Sequence, residues 1–195
     1  RIVDGLETRS KLTRRIIIMA NTTFQGPVIS KKGFYNTGPA NVIDADSSTS
    51  LTVATHAGRI VHNDAAGAVT YTLPAVNATA DSAVGGPGPD INSLNNVGAT
   101  FTILNSITKT GDLVVQVANS TDVMSGGAFF IDDSSDNVVG FETVAASDTI
   151  TLNGTTTGGV TYAKIVCTVL ASGTWSVSVH TGCTSTPATC FSAAV

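Results

Sequence analysis

Two histidines are the first residues whose type and spacing suggest chemistry. His56 and His62 lie on either side of Arg59, and their even separation places both imidazoles on one face if the segment is a strand. Imidazole is a common metal ligand, so a two-histidine metal site is conceivable there. Surface or interface histidines are the simpler interpretation, and we therefore predict no metal in this protein.

A second candidate is the polar run Asp132-Asp133-Ser134-Ser135-Asp136-Asn137. It resembles an acidic calcium loop, because hard cations prefer several oxygen ligands close together. The run lacks the central Gly and the terminal Glu of an EF-hand. We favour a turn in which Asp, Ser and Asn side chains hydrogen-bond to their own backbone, and an ion between Asp132 and Asp136 stays an open alternative.

The rest of the sequence contains no arrangement typical of catalysis. An enzyme needs a nucleophile with a base, a pair of tuned carboxylates or a metal cluster, and no such group of His, Asp, Glu or Cys is apparent. The run Gly85-Gly86-Pro87-Gly88 is not followed by Lys-Ser or Lys-Thr, so it does not predict a phosphate-binding loop. We expect a protein that is not an enzyme and that binds no cofactor.

The cysteines give no framework for the fold. Cys167, Cys183 and Cys190 form no CxxC pair and leave at least one thiol free, so neither a zinc knuckle nor a disulfide scaffold is indicated. Cys167 lies in an alternating run, as expected of a small buried hydrophobic residue. Cys183 and Cys190 enclose six residues, and their spacing alone does not decide whether they form a disulfide.

Short runs of Val, Ile, Thr, Tyr and Phe, separated by turn residues, begin near residue 51 and predict strands. The candidate strands are 51–54, 58–63, 68–73, 99–104, 113–118, 128–131, 138–144, 148–152, 160–170 and 174–180. Their spacing predicts an all-β fold, an antiparallel β-sandwich or β-barrel of the jelly-roll or tulip-like kind. Trp175, Val177 and Val179 share one face of the last strand, and we expect that face to be core.

The sequence divides into three parts by pattern and by charge. Residues 1–50 have no sustained periodicity and predict an extended N-terminal arm, residues 51–182 predict the body, and residues 183–195 a C-terminal tail. Residues 1–32 carry seven basic and two acidic groups (+5), whereas residues 33–195 carry three basic and twelve acidic groups (−9). A basic arm suits docking on an acidic protein surface or on nucleic acid, while the acidic body argues against direct binding of nucleic acid.

The N-terminal residues contain no segment that predicts a membrane span. The longest apolar run, 16–20, is far shorter than the roughly 20 residues that cross a bilayer, so we expect no membrane partner. Met19-Ala20-Asn21 reads like a translation start, which leaves open whether residues 1–18 belong to the mature protein.

The order of several fragments resembles the head decoration proteins of tailed bacteriophages, which are also called capsid-stabilising or cement proteins. The fragments are Phe24-Gln25-Gly26-Pro27-Val28-Ile29-Ser30 leading to Gly33-Phe34, His56-Ala57-Gly58-Arg59, Thr70-Tyr71-Thr72-Leu73-Pro74-Ala75, Gly98-Ala99-Thr100-Phe101-Thr102-Ile103, Asp148-Thr149-Ile150-Thr151-Leu152 and Ser172-Gly173-Thr174-Trp175-Ser176-Val177. The likeness spans roughly residues 20–182, and it leaves out residues 1–18 and the tail.

The resemblance implies a virion structural protein on the capsid exterior, made in the cytoplasm of a bacterial host. Its partners would be two further copies of itself, in a homotrimer, and the major capsid protein, whose subunit contacts it would stabilise. In the basic arm, we expect charged and apolar side chains to contact the capsid. These candidate contact residues are Arg14, Arg15, Phe24, Lys31, Lys32 and Phe34.

Two other functions fit an all-β chain without catalytic residues. A receptor-binding or adhesin-type module of a fibre would use loops as its working surface, and exposed aromatic residues in 81–96 or 119–137 would favour it. A self-polymerising filament subunit would pair its arm with the next copy, and an open head-to-tail symmetry would distinguish it from a closed trimer.

Overall fold

The computed structural model describes residues 42–78, 96–171 and 173–195. The chain divides into two units, Arg1–Phe34 and Tyr35–Val195, and all the described residues belong to the second. They form twelve strands and one short helix. In chain order these are β1 Val42–Asp44, β2 Thr49–Ser50, α1 Val53–His56, β3 Ile60–Asn63, β4 Val69–Thr72, β5 Thr100–Asn105, β6 Leu113–Gln116, β7 Val123–Asp132, β8 Asn137–Glu142, β9 Thr149–Leu152, β10 Ala163–Ala171, β11 Thr174–Cys183 and β12 Phe191–Ser192.

The strands form two sheets that share one core. The large sheet has seven strands in the order β1-β3-β5-β10-β11-β7-β8, and the small sheet has five in the order β12-β9-β6-β4-β2. The prediction of an all-β sandwich is thereby confirmed. None of the helices among the described residues has the length and apolar character needed to cross a membrane.

The inward faces of both sheets supply the core. In β5, burial alternates residue by residue, because successive side chains of a strand point to opposite faces, and Phe101 and Ile103 are fully buried. Trp175 of β11 packs edge-on against Phe101, with ring centroids 5.7 Å apart. Tyr71 and Leu113 contribute from the small sheet. Trp175 is therefore a core residue, as its alternating strand predicts.

Both sheets are mixed, whereas the sequence predicts antiparallel pairing. Five of the ten strand pairings are parallel: β1 with β3, β3 with β5, β2 with β4, β4 with β6, and β7 with β11. The first six strands alternate between the two sheets. Each crossing reverses the direction of the chain, so a second crossing brings the next strand back parallel to its neighbour, as parallel pairs require.

The ends of the sandwich reach beyond the predicted body. β1 and β2, which fall in the predicted arm of residues 1–50, pair with β3 and β4. β12 falls in the predicted tail and pairs with β9. These segments are too short to show a period of two in the sequence, and hydrogen bonds to longer neighbours hold them in the sheets. The structure thus begins the body before residue 51 and continues it past residue 182.

The predicted strand at residues 51–54 is replaced by the helical turn α1. Its first turn is capped by Thr52, whose side-chain oxygen accepts a hydrogen bond from Thr55 N–H at 3.3 Å. Threonine is a favoured N-cap residue because it satisfies a backbone donor that has no partner within the helix. The run Leu51-Thr52-Val53-Ala54 has the composition of a strand, but the hydrogen bond from Thr55 N–H to the Thr52 side chain stabilises the helical turn instead.

Candidate functional site

The predicted capsid-contact residues Arg14, Arg15, Phe24, Lys31, Lys32 and Phe34 lie outside the described residues. The same holds for the glycine-rich run 85–88. Their roles stay predictions, and the candidate site below is built from the sandwich alone.

The structure separates the two histidines that were predicted to share a face. His56 ends α1 and is 7% exposed, and its Nδ1 accepts a hydrogen bond from Thr52 N–H at 3.0 Å. His62 lies on β3, with Nδ1 3.1 Å from Asp44 Oδ1 and Nε2 2.9 Å from Ser106 Oγ. The prediction of a shared face is wrong because residues 53–56 are helical, so the even spacing no longer describes one strand.

Residues 133–136 connect β7 to β8 in a tight turn. Asp132 Oδ1 accepts hydrogen bonds from Ser134 N–H at 3.0 Å and from its hydroxyl at 2.7 Å, and Oδ2 accepts one from the Ser135 hydroxyl at 2.7 Å. These bonds, led by that from the Ser134 side chain, lower the pKa of Asp132. The carboxylate thus stabilises the turn by accepting hydrogen bonds from neighbouring residues, as the turn interpretation predicts.

Three carboxylates meet where β1 and β3 end. Asp44, Asp46 and Asp64 are exposed, and one oxygen of each lies within 4.8 Å of the others. Asp64 N–H donates to Asp46 at 3.0 Å, which lowers the pKa of Asp46, while the bond to Asp46 and its charge raise the pKa of Asp64. Three ligand atoms are fewer than the six to eight oxygens that calcium takes, so this cluster alone does not define a metal site.

The three cysteines are buried free thiols. Burial raises the pKa of Cys167 and of Cys190 to about 12, and burial with the nearby Asp132 raises that of Cys183. Since the thiolate is the reactive form, these cysteines have the properties of packed hydrophobic residues. In this structure Cys183 and Cys190 form no disulfide.

An apolar patch on the outer face of the large sheet is the most distinctive exposed feature of the described residues. It consists of Phe129, Ile131, Val138 and Tyr162, whose exposed fractions run from 46% to 68%. Together with His180 and Thr181 these side chains line an open groove of about 400 Å³. The ring of Phe129 lies beside His180, with ring centroids 5.5 Å apart. Exposed apolar side chains that lie together in this way are candidates for a contact surface.

A second depression, of about 600 Å³, adjoins the apolar patch over β7 and β8. Its floor contains Gly126, Gly127 and Gly140, which have no side chains to fill it. Gly126 is required by packing, because a Cβ there would lie 1.9 Å from the Val177 carbonyl oxygen of β11. At Gly140 a Cβ would make only ordinary van der Waals contacts, so packing does not require glycine at this position.

The surroundings of the patch are acidic on the side of β7 and β8, whereas Lys164 of β10 lies opposite His180 on the other side. Residues 123–144 contain four carboxylates and no Lys or Arg. Asp132, Asp133 and Asp136 lie at the turn between β7 and β8, and Glu142 lies at the other end of β8. The acidic side of the patch, at β7 and β8, therefore fits a partner that offers apolar side chains beside positive charge.

Sequence reasoning missed the patch, although one signal for it was present. The pair Phe129-Phe130 lies inside a strand, and alternation places one of two adjacent residues on each face. One phenylalanine therefore had to be either solvent-exposed or covered by another layer.

We found no match for the chain among protein-family models, curated proteins or solved structures.

Proposed function

We propose that this protein is a non-enzymatic virion structural protein that binds the outside of a phage capsid as a homotrimer and stabilises contacts between major capsid subunits. The observation that carries the proposal is the apolar patch with its groove, on the outer face of a sheet whose inner face is fully packed. A patch of this kind suits contact with another protein. The order of sequence fragments that resembles head decoration proteins supports the same function.

The mechanism of such a protein is physical. A bound subunit that spans a boundary between capsid proteins adds buried surface, so separating them requires more free energy. In this proposal the apolar patch supplies one contact of the sandwich, and the basic arm, with Arg14, Arg15, Lys31 and Lys32, supplies another. Phe24 and Phe34 add apolar anchors to the arm.

The test measures mass and shell binding together. Light scattering would be recorded on the purified chain, alone and with shells of the major capsid protein encoded by the same genome, for the full chain and for a chain without residues 1–35. We expect a discrete trimer that binds shells only when the arm is present. A growing, polydisperse polymer in the absence of shells would contradict the proposal.

A matched pair of variants tests the contribution of the patch. Phe129→Ser removes an apolar side chain from the groove, whereas Val144→Ser changes a residue that is 68% exposed and does not line it. We expect Phe129→Ser to weaken shell binding at least tenfold and Val144→Ser to leave it unchanged. Equal binding by both variants would exclude the patch as the contact.

A receptor-binding module of a fibre is the second candidate, and the exposure of two aromatic side chains favours it. Phe129 lies within the segment 119–137 and is 53% exposed, and Tyr162 beside it is 60% exposed. A fibre module would bind host cells or their surface glycans in the absence of any shell. Binding of the trimer to shells, with no binding to cells, would decide against this function and against a filament subunit.

A further inference from the structure

The two sheets end in four edge strands, and these differ in length. β1 has three residues, and β2 and β12 have two each. β8, the outer strand of the large sheet, has six. Very short edges offer few backbone groups to another chain, whereas a longer one is a template for pairing. Among the described residues, β8 is therefore the edge suited to accept a further strand.

The open side of β8 can be read from its register with β7. Thr143 N–H donates to the Gly126 carbonyl at 3.1 Å, and the pairing continues through Phe141 opposite Ala128. Hydrogen-bonded and non-hydrogen-bonded pairs alternate along antiparallel strands. The backbone groups of Phe141 and Val139 thus face β7. Those of Val138, Gly140 and Glu142 point away from it, which leaves three N–H and three C=O groups along the edge.

This edge has few of the features that usually prevent pairing, and Glu142 is its one charged side chain. Natural edges carry Lys or Pro, or a bulge that twists the strand away. The sequence of β8, Asn-Val-Val-Gly-Phe-Glu, has neither Lys nor Pro, and its register with β7 is regular over six residue pairs. Val138 belongs to the apolar patch, and Gly140 lies in the depression beside it, so a strand added here would also extend the apolar surface.

The charges near β8 select the occupant. A second β8 would bring the same carboxylates, Asp132, Asp133, Asp136 and Glu142, against the first set, and like charges oppose that pairing. A segment carrying Lys or Arg would instead meet opposite charge at both ends of the strand. The edge thus favours a basic segment over a second β8 strand.

We propose that β8 binds an extended, positively charged segment of another protein subunit, which adds to the large sheet as an eighth strand. Backbone hydrogen bonds to Val138, Gly140 and Glu142 would hold the segment, and the patch would accept its apolar side chains. The inference rests on the proposed function for the nature of the partner, which is a subunit of the capsid and not a second copy of this chain.

The first test uses a synthetic peptide as the probe. The capped peptide Lys-Val-Lys-Val-Lys-Val-Lys would be added to the full chain, and amide hydrogen exchange would be followed residue by residue. We expect the exchange of the Val138, Gly140 and Glu142 amides to slow at least tenfold. The matched peptide with Glu in place of Lys, and one with a central Pro, should leave these amides unchanged.

A pair of variants locates the effect. Val138 and Val144 are both 68% exposed, but only Val138 lies on the edge. We expect Val138→Lys to weaken peptide binding at least tenfold, since it places positive charge on the edge, and Val144→Lys to leave it unchanged. Thermal unfolding of both variants would verify that the fold is retained.

Several outcomes would overturn the inference. These are no slowing by the Lys peptide, equal slowing by the Glu peptide, or edge amides already protected in the chain alone. Protection at every protein concentration would mean that the chain covers its own edge, and protection that rises with concentration would mean that a second copy covers it.

If Val138→Lys binds shells like the unchanged chain, the inference fails and the proposed function stands. If the unchanged chain does not bind shells but still binds the Lys peptide as expected, the proposed function fails and the inference about β8 stands.

Discussion

Phe129 and Phe130 are neighbours in β7, yet they belong to opposite regions of the molecule. Phe130 is fully buried and packs against Phe141, with ring centroids 5.3 Å apart. Phe129 is 53% exposed and lies beside His180 on the outer face. The comparison shows how one strand serves two purposes. Its inner face stabilises the sandwich, and no layer among the described residues covers its outer face.

The largest expected effect is the difference in stability between alanine variants of these two phenylalanines. Phe130→Ala should lower the free energy of unfolding by about 3–5 kcal/mol, because it leaves a cavity in a packed core. Phe129→Ala should lower it by less than about 1 kcal/mol, since surface changes have small effects. Urea unfolding of both variants measures the difference. Equal losses would mean that the outer face is also covered in solution.

A smaller effect is expected from a buried lysine compared with an exposed one. Lys109 is 3% exposed, and its ammonium donates to the carbonyl oxygens of Ala65 and Gly67, while burial lowers its pKa. Lys109→Met keeps the aliphatic stem but leaves both carbonyls without this donor, which should cost about 1–3 kcal/mol. Lys164→Met, on the outer face of β10, should cost less than about 0.5 kcal/mol. A similar cost at both positions in urea unfolding would contradict this assignment.

The smallest of the three effects concerns the C-terminus. Asp148 accepts hydrogen bonds from Ala194 N–H at 2.8 Å and Val195 N–H at 3.2 Å. Burial acts to raise the pKa of Asp148, but these bonds and one from Thr149 outweigh it, so the pKa lies below its ordinary value. A lowered pKa in the folded state stabilises the fold at neutral pH. That stability is lost as the pH falls below about 4 towards the lower folded pKa.

Asp148→Asn should therefore cost about 1–2 kcal/mol at pH 7, since it removes the charge from these hydrogen bonds, and much less at pH 2. Asp133→Asn, in the exposed turn, serves as the control and should change stability little at either pH. Unfolding curves at the two pH values measure the loss, and the amide signals of Ala194 and Val195 report the attachment of the tail. A loss at Asp148 that is independent of pH would contradict the role of its charge.

Most of the long strands of the body were predictable because they have a local signature. The runs from Ala163 to Ala171 and from Thr174 to Cys183 alternate between apolar and polar residues, and the structure buries every second one over most of their length. Trp175 follows the same rule. The turn at Asp132 was predictable for a similar reason, because the groups that bond to its carboxylate lie within three residues of it.

Other features depended on residues far apart in the chain. Asp44, Asp46 and Asp64 come together only because β1 pairs with β3, and His56 leaves the strand face because a single turn of helix forms at 53–56. The apolar patch joins Tyr162 to β7 and β8, a contact that no spacing in the sequence indicates. The residues that line the candidate site were therefore not predictable as a group.

The sequence by itself determined that the protein is all-β and which side chains of most strands point inward, because a period of two is a property of each segment alone. Only the tertiary structure decided which strands are neighbours, since parallel pairs such as β3 with β5 arise when the chain crosses to the other sheet and returns. The tertiary structure likewise decided that Phe129 is exposed and that β8 forms an open edge. Both depend on there being no further strand beyond β8 among the described residues and no layer over the outer face of β7.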